Sequence, residues 1–138
     1  MARAMEISTP LPGTDTLLLR NASFLGGFDA RLGGGISSVD IDDVFFRGNV
    51  VIDTAAGNDA VRIEPGSTAG RSILAALMEL KLGEGDDTVL IGDGTLANTI
   101  LLMARLTIDG GGGADTINDV LGFAQVVPGG TVNVLEFP

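Results

Sequence analysis

Three short turns with the same residue pattern recur at a spacing of 28 residues, and this repeat limits the possible folds more than any other feature. Each turn contains a glycine, any residue, an aspartate, any residue and then an aliphatic residue. The three aspartates are Asp59, Asp87 and Asp115. A fixed period of this length is typical of chains in which one structural unit stacks on the next. Any chemistry at the turn is then expected to recur along the stack.

The segments between the turns predict short β-strands. Aliphatic residues stand two and four positions after the turn aspartates, which is the alternation of a strand with one buried face. These residues are Val61, Ile63, Val89, Ile91 and Ile117, and the remaining position is occupied by Asp119. Residues 72–82 also contain good helix formers, so a helix is the competing interpretation there. A strand is preferred because a helix would interrupt the stack.

The predicted fold is therefore all-β: a right-handed parallel β-helix, or β-solenoid, with about five coils and a main period of 28 residues. We expect residues 1–138 to form a single domain. Its coils are predicted at 15–42, 43–58, 59–86, 87–114 and 115–138. The short second coil follows from treating Asp43 as the equivalent of Asp15. The residues up to Pro12 and those from 132 onward are expected to cap the ends, or to mark where a longer repeat array was cut.

The composition argues against several classes of function. The chain has 18 acidic and 8 basic residues without a basic cluster, which argues against nucleic-acid binding and favours cations as partners. It has no cysteine and no histidine, so disulfides, zinc sites and triads that need these residues are excluded. No apolar stretch is long enough to span a membrane, and the N-terminal residues lack the apolar core of a signal peptide. Six positions before the turn aspartates stand Asp53, Lys81 and Asp109, which predict a solvated charge row.

The glycine-rich segment before Asp115 fits a longer pattern. Residues 110–118 match Gly-Gly-x-Gly-x-Asp-x-aliphatic-x at every position. Residues 82–90 keep two of its glycines, the aspartate and the aliphatic residue, and residues 54–62 keep one glycine, the aspartate and the aliphatic residue. This pattern resembles the nonapeptide of RTX (repeats-in-toxin) β-rolls, which bind calcium. In that family the nonapeptides follow one another directly, whereas here they recur once in 28 residues.

The resemblance implies calcium sites between adjacent turns. The implied ligands are Asp59, Gly85, Asp86, Asp87, Gly113 and Asp115. Glycines let the backbone turn with positive φ and direct carbonyl oxygens inward, and the aspartates add anionic oxygens. Because Ca²⁺ takes about six to eight oxygen ligands, two stacked turns would share each ion. The alternative is that the aspartates accept hydrogen bonds from their own turn amides and bind no metal.

These observations predict a calcium-binding, RTX-like β-helix module of a secreted or cell-surface bacterial protein, with a structural or adhesive role. The first alternative is a metal-independent structural solenoid that self-associates through its coil ends. The second is a fragment of a polysaccharide-acting β-helix enzyme, in which Glu84, Asp86 and Asp87 would supply the acids. Catalysis is not expected, because no aromatic residues flank that acidic cluster. Neither nucleic-acid binding nor membrane insertion is expected.

Overall fold

The computed structural model describes residues 3–9, 11–66, 70–92, 99–118, 124–126 and 131–135. These residues form β-strands joined by short corners, and none of them lies in a helix. The fourteen strands found in these ranges are β1 Met5–Ser8, β2 Gly13–Phe24, β3 Phe28–Arg31, β4 Gly35–Phe46, β5 Val50–Asp53, β6 Ala60–Ile63, β7 Arg71–Leu74, β8 Met78–Lys81, β9 Thr88–Ile91, β10 Thr99–Leu102, β11 Arg105–Asp109, β12 Thr116–Asn118, β13 Ala124–Val126 and β14 Thr131–Leu135.

The strands form two sheets. In the six-stranded sheet the order is β1-β3-β5-β8-β11-β14. In the eight-stranded sheet the order is β12-β9-β6-β4-β7-β10-β13, and β2 pairs with β4. The pairings between these strands are parallel. The chain passes repeatedly from one sheet to the other, so each turn stacks on the previous one, and the predicted all-β parallel β-solenoid is confirmed.

The described residues make about four turns, slightly fewer than the five predicted. Four steps along the six-stranded sheet lead from β1 to β11, and β12, β13 and β14 then continue both sheets. The segments that the sequence assigns to end caps contain β1 and most of β14, and these are the terminal strands of the six-stranded sheet.

The spacing between paired strands changes along the chain. Gly13 pairs with Gly35 and Ser38 pairs with Ala60, so the first two steps of the eight-stranded sheet are 22 residues each. The next step, from Ala60 to Thr88, is 28 residues, as the repeat predicts. The solenoid therefore contains shorter turns before longer ones.

The observed register differs from the predicted coil boundaries at 15–42 and 43–58. Asp15 pairs with Ser37 and not with Asp43. Asp43 lies instead within β4, where its φ is 55°. The difference arises because the distance from Asp15 to Asp43 coincides with the period of the later turns, although the first turns are shorter.

The additional residues of the longer turns divide one strand into two. β4 is a single strand of 12 residues. Its Ile41 pairs with Ile63 of β6, 22 residues on, whereas its Phe46 pairs with Leu74 of β7, 28 residues on. Residues 64–70 stand between β6 and β7. The eight-stranded sheet therefore branches at β4, and the later turns contribute two strands to it in place of one.

The core consists of rows of similar aliphatic side chains. The predicted inward residues Val61, Ile63, Val89 and Ile91 are buried, and Ile117 packs against the core. Val61 and Val89 are register partners on β6 and β9, so equal side chains stack directly on one another. Position 119 lies outside the described residues. Burial of these rows is the main source of stability in a stack of this kind.

Residues 72–82 form two strands joined by a corner, so the helix considered for this segment is not present. They include most of β7 and all of β8, and these two strands belong to different sheets.

The predicted charge row is also present, because Asp53, Lys81 and Asp109 are register partners. Lys81 Nζ lies 3.5 Å from Glu79 Oε1, and both side chains are about half exposed. Asp53 and Asp109 are partly buried, and Oδ1 of Asp109 is buried, so the row is only partly solvated.

Candidate functional site at the aspartate corner

The aspartate corner is defined here as the stacked turns of residues 57–59, 85–87 and 113–115. Glycine is required by the backbone of these turns. Gly85 has a φ of 138°, in the region that disfavours other residues. A Cβ atom on Gly85 would overlap the carbonyl of Gly57 in the preceding turn. The glycines thus allow adjacent turns to approach closely enough for hydrogen bonds between them.

The turn aspartates form a hydrogen-bonded ladder that runs from turn to turn. The amide of Asp59 donates to Oδ1 of Asp87 at 2.7 Å, and the amide of Asp87 donates to Oδ1 of Asp115 at 2.9 Å. Asp59 in turn accepts a hydrogen bond from the amide of Ser37 at 2.6 Å. Each carboxylate therefore bonds an amide of the preceding turn, whereas the metal-free alternative had predicted bonds within the same turn. We call Asp59, Asp87 and Asp115 the aspartate ladder.

The ladder does not extend to Asp15. Ser37 occupies the equivalent position in the second turn, and its side chain offers no carboxylate. The carboxylate of Asp15 instead accepts hydrogen bonds from the Thr9 hydroxyl at 2.7 Å and from the Gly33 amide at 3.2 Å. Asp15 therefore bonds Thr9 of its own turn and Gly33 of the second turn.

A second row of side chains runs along the outside of the corner in the opposite direction. The amide of Asp86 donates to Oδ1 of Asn58 at 3.1 Å, and the amide of Ala114 donates to Oδ1 of Asp86 at 3.0 Å. Neighbouring amides along a strand point to opposite sides, so the amides of Asp86 and Asp87 face different turns. Each of them meets a side-chain oxygen, which replaces the carbonyl that a regular sheet would supply.

Backbone carbonyls at the corner already accept hydrogen bonds between turns. The amide of Gly57 donates to the carbonyl of Glu84 at 2.8 Å, and the amide of Gly85 donates to the carbonyl of Gly112 at 2.7 Å. The amide of Gly112 donates to the carbonyl of Gly83 at 2.8 Å. These three carbonyls join the turns to one another, and they are not those of the predicted ligands Gly85 and Gly113.

One oxygen of each carboxylate in the aspartate ladder makes no hydrogen bond with the described residues. Asp59, Asp87 and Asp115 are 2%, 1% and 8% exposed, and the buried Oδ2 atom of each has no hydrogen-bond partner among the described residues. Burial raises the pKa of Asp87 to about 6. The charges of Asp59, Asp115 and Asp86 also raise this pKa, whereas the hydrogen bond from the Asp59 amide lowers it.

The predicted ligand set is divided between two faces of the corner. The ladder aspartates are buried, whereas Asp86 and its neighbour Glu84 are exposed. No group of three or more acidic side chains among the described residues is arranged to hold a metal ion. Gly85 and Gly113 contribute the turn geometry of the corner. Parallel strands lie about 4.8 Å apart, so the ladder supplies about one spare carboxylate oxygen per turn.

A second cluster of buried polar groups lies where the eight-stranded sheet branches, and the sequence pattern did not reveal it. We call it the branch corner; it comprises the buried Asp42, Glu64 and Ser72 and the partly buried Asp43. The amide of Asp43 donates to Oε1 of Glu64 at 3.0 Å, and the amide of Val44 donates to the hydroxyl of Ser72 at 3.0 Å. Here too side chains supply the acceptors that a branching sheet cannot. Pro65 and Gly66 after β6 signal a turn, but nothing in the pattern indicates that Glu64 is buried.

The aspartate corner and the branch corner thus provide hydrogen-bond acceptors inside a stack of strands, with a few buried carboxylate oxygens to spare. The described residues include no helix with the length and apolarity needed to cross a membrane.

The similarity to RTX repeats rests on the nonapeptide pattern alone. No family model, no curated protein and no solved structure matches this chain.

Proposed function

We propose that this chain is a structural module of a secreted or cell-surface protein: a β-solenoid scaffold whose turns are joined by hydrogen bonds and fold without a metal ion. The observation that supports this most directly is the aspartate ladder. The buried amides of Asp59 and Asp87 each have a carboxylate acceptor in the next turn. Buried backbone amides need such partners, and here protein side chains supply them.

The proposal assigns no catalytic residue to the chain. The exposed acids Glu84 and Asp86 lie on the outer side of the corner, while Asp87 lies on the buried side with its Oδ1 bonded to Asp59. The division of these acids between two sides of the corner supports a structural role, because glycoside hydrolysis requires two carboxylates that flank one sugar ring.

The test is thermal unfolding followed by far-UV circular dichroism, in EDTA and then with added CaCl₂. We expect a cooperative β-sheet transition in EDTA whose midpoint Ca²⁺ does not raise. A chain that lacks β signal in EDTA and gains it with Ca²⁺ would overturn the metal-free proposal, because folding would then be coupled to metal binding.

Calcium binding by the aspartate ladder is the second candidate function. It is favoured by the buried Oδ2 atoms of Asp87 and Asp115, which lack hydrogen-bond partners among the described residues and lie in adjacent turns. An ion between these turns would neutralise two stacked carboxylates. Isothermal titration with CaCl₂ tests this candidate: heat that saturates in the parent protein and disappears in Asp115→Asn supports it. The absence of heat in both proteins rejects it.

Self-association with a second copy of the chain belongs to the same structural proposal. β1 ends the six-stranded sheet, and β2 pairs only with β4 among the described strands, so both have an edge without a partner strand. Met5 and Leu11 in this first turn are 46% and 76% exposed. Edges of this kind accept further strands. Sedimentation velocity in EDTA should show mass that rises with protein concentration, and a monomer at every concentration would reject this part.

A further inference from the structure

The branch corner contains a strained residue with a buried acid. Glu64 has a φ of 58°, in the left-handed region that side chains other than glycine rarely adopt. The equivalent position in the next turn is Gly92, with a φ of 80°. The two positions make the same backbone bond: the Glu64 amide donates to Ile41 at 2.7 Å, and the Gly92 amide donates to Ile63 at 2.7 Å. Glycine is thus adequate for this backbone, and the glutamate must be explained by its side chain.

Only one of the two carboxyl oxygens of Glu64 accepts a hydrogen bond from the described backbone. The residue is inaccessible to solvent. Its Oε1 accepts the amide of Asp43, and the Ser72 side chain also bonds the carboxyl. Its Oε2 is buried and has no hydrogen-bond partner among the described residues. A buried carboxylate with one unsatisfied oxygen is costly, whereas a protonated carboxyl avoids the buried charge.

The charges that raise the pKa of Glu64 come from two acids of β4. On β4, Asp42 is fully buried beside it, and Asp43 is bonded to it through the backbone amide. On β2, Arg20 lies 3.9 Å from Asp42 and 3.8 Å from Asp40, which also binds Arg62 of β6.

β9 pairs with the other side of β6 and contains no charged residue, and the strand that follows the corner is β7. It begins at the exposed Arg71, which makes interactions of its own, and continues with Ser72. The Glu64 carboxyl accepts hydrogen bonds from the Ser72 side chain and the Asp43 amide, and the acids of Asp42 and Asp43 act on it electrostatically.

We infer that Glu64 is a proton-binding group of the folded protein, and that its deprotonation loosens the corner at which β4 branches to β6 and β7. The inference goes beyond the proposed function because it needs neither metal nor a second copy of the chain. A negative charge on the buried Glu64 would lie beside the buried Asp42 and the partly buried Asp43, and the strands they belong to would separate to admit water.

The surroundings of Glu64 raise its pKa, which favours the protonated carboxyl in the folded protein. Burial is the largest cause that raises the pKa of Glu64, and the charges of Asp42 and Asp43 add to it. Hydrogen bonds from Ser72 and from the Asp43 amide oppose this shift. Since the folded state then binds the proton more tightly than the unfolded chain, Glu64 lowers stability as pH rises above the ordinary glutamate range.

The experiment compares melting temperatures of the parent, Glu64→Gln and Glu79→Gln from about pH 4 to about pH 8 in EDTA. Glu64→Gln keeps the acceptor for the Asp43 amide and removes the charge. Glu79 is a half-exposed glutamate of β8 that lies 3.5 Å from Lys81, and it serves as the control. We expect the parent to lose about 3 to 5 °C more than Glu64→Gln over this range, and Glu79→Gln to follow the parent.

Equal pH profiles for the parent and Glu64→Gln would overturn the inference. Should Glu64→Gln fail to fold, the ¹³C chemical shift of the Glu64 carboxyl in the parent protein decides. A midpoint clearly above the ordinary glutamate value supports the inference, and a midpoint at that value overturns it. Because every measurement is made in EDTA, neither result depends on whether Ca²⁺ binds the aspartate ladder.

Discussion

The backbone amide of Asp87 donates to the carboxylate of Asp115, which lies 28 residues further along the chain and one turn further along the solenoid. The same side-chain oxygen in an isolated turn would bond its own backbone. In this stack the Asp115 side-chain oxygen takes the place of the backbone carbonyl that would accept the Asp87 amide in a regular sheet. The period of the aspartates is therefore the period of a hydrogen-bond pattern, whether or not an ion also binds there.

Removing one carboxylate from the ladder should destabilise the fold through the amide that loses its acceptor. In Asp87→Ala the buried amide of Asp59 is left without its partner, which is expected to cost about 1–3 kcal/mol in the free energy of unfolding. Asp87→Asn retains Oδ1 and should lose less than Asp87→Ala. Urea unfolding in EDTA measures both values. If the two variants were equally stable, the hydrogen bond would not be the reason for the aspartate.

The neighbouring aspartate provides the control for that measurement. Asp86 is exposed and accepts its hydrogen bond from Ala114 on the outer side of the corner, where water is an alternative partner. Asp86→Ala should therefore change the free energy of unfolding by less than about 1 kcal/mol. A loss as large as that of Asp87→Ala would show that the inner and outer rows are equivalent.

Much of this fold follows from the sequence because stacked turns repeat residue types. The inward positions of Val61 and Val89, the charge row through Lys81 and the strands at 72–82 were all predictable from spacing and alternation. Each depends only on the rule that equivalent positions in adjacent turns meet. The calcium ligands remain a prediction, since the resemblance to RTX repeats concerns the sequence pattern of the turn.

The shorter first turns could not be derived from the same rule. β2 and β4 are uninterrupted strands of 12 residues, so no glycine turn marks the point where β4 later divides into β6 and β7. Asp15 and Asp43 share the period of the later aspartates by coincidence of spacing. Burial of Glu64 was equally hidden, because a charged residue next to a Pro-Gly turn is normally taken as exposed.

Replacing Gly85 with alanine should destabilise the fold, whereas the same replacement at Gly13, the equivalent residue of the first turn, should not. At Gly85 the φ of 138° is unfavourable for alanine, and the added Cβ would overlap the carbonyl of Gly57. We expect Gly85→Ala to cost at least about 2 kcal/mol. Gly13 is the equivalent residue in the first turn, and nothing lies within 4 Å of the Cβ position. Gly13→Ala should be nearly neutral, and equal losses at both positions in urea unfolding would contradict this account of the corner.

The stacked core predicts a large difference between two nearby leucines. Leu80 is inaccessible to solvent and pairs with Ile52 and Ile108 in adjacent turns, so Leu80→Ala should cost about 2–5 kcal/mol. Leu77 is 44% exposed, and Leu77→Ala should change stability by about 0.5 kcal/mol or less. Thermal and urea unfolding of both variants measure the difference. Similar stabilities would mean that β8 does not pack against the core as described.

The aspartate ladder should make the metal-free protein more stable in mild acid than at neutral pH. Burial raises the pKa of Asp87 from 3.8 to about 6, so between these values the folded protein binds more protons than the unfolded chain. The stabilisation is complete below about pH 4 and is lost as pH rises through about 6, with a magnitude on the order of 1–3 kcal/mol. Urea unfolding in EDTA at several pH values should show this loss in the parent and a smaller loss in Asp87→Asn. An unchanged slope in Asp87→Asn would mean that Asp87 does not retain its proton in the folded ladder.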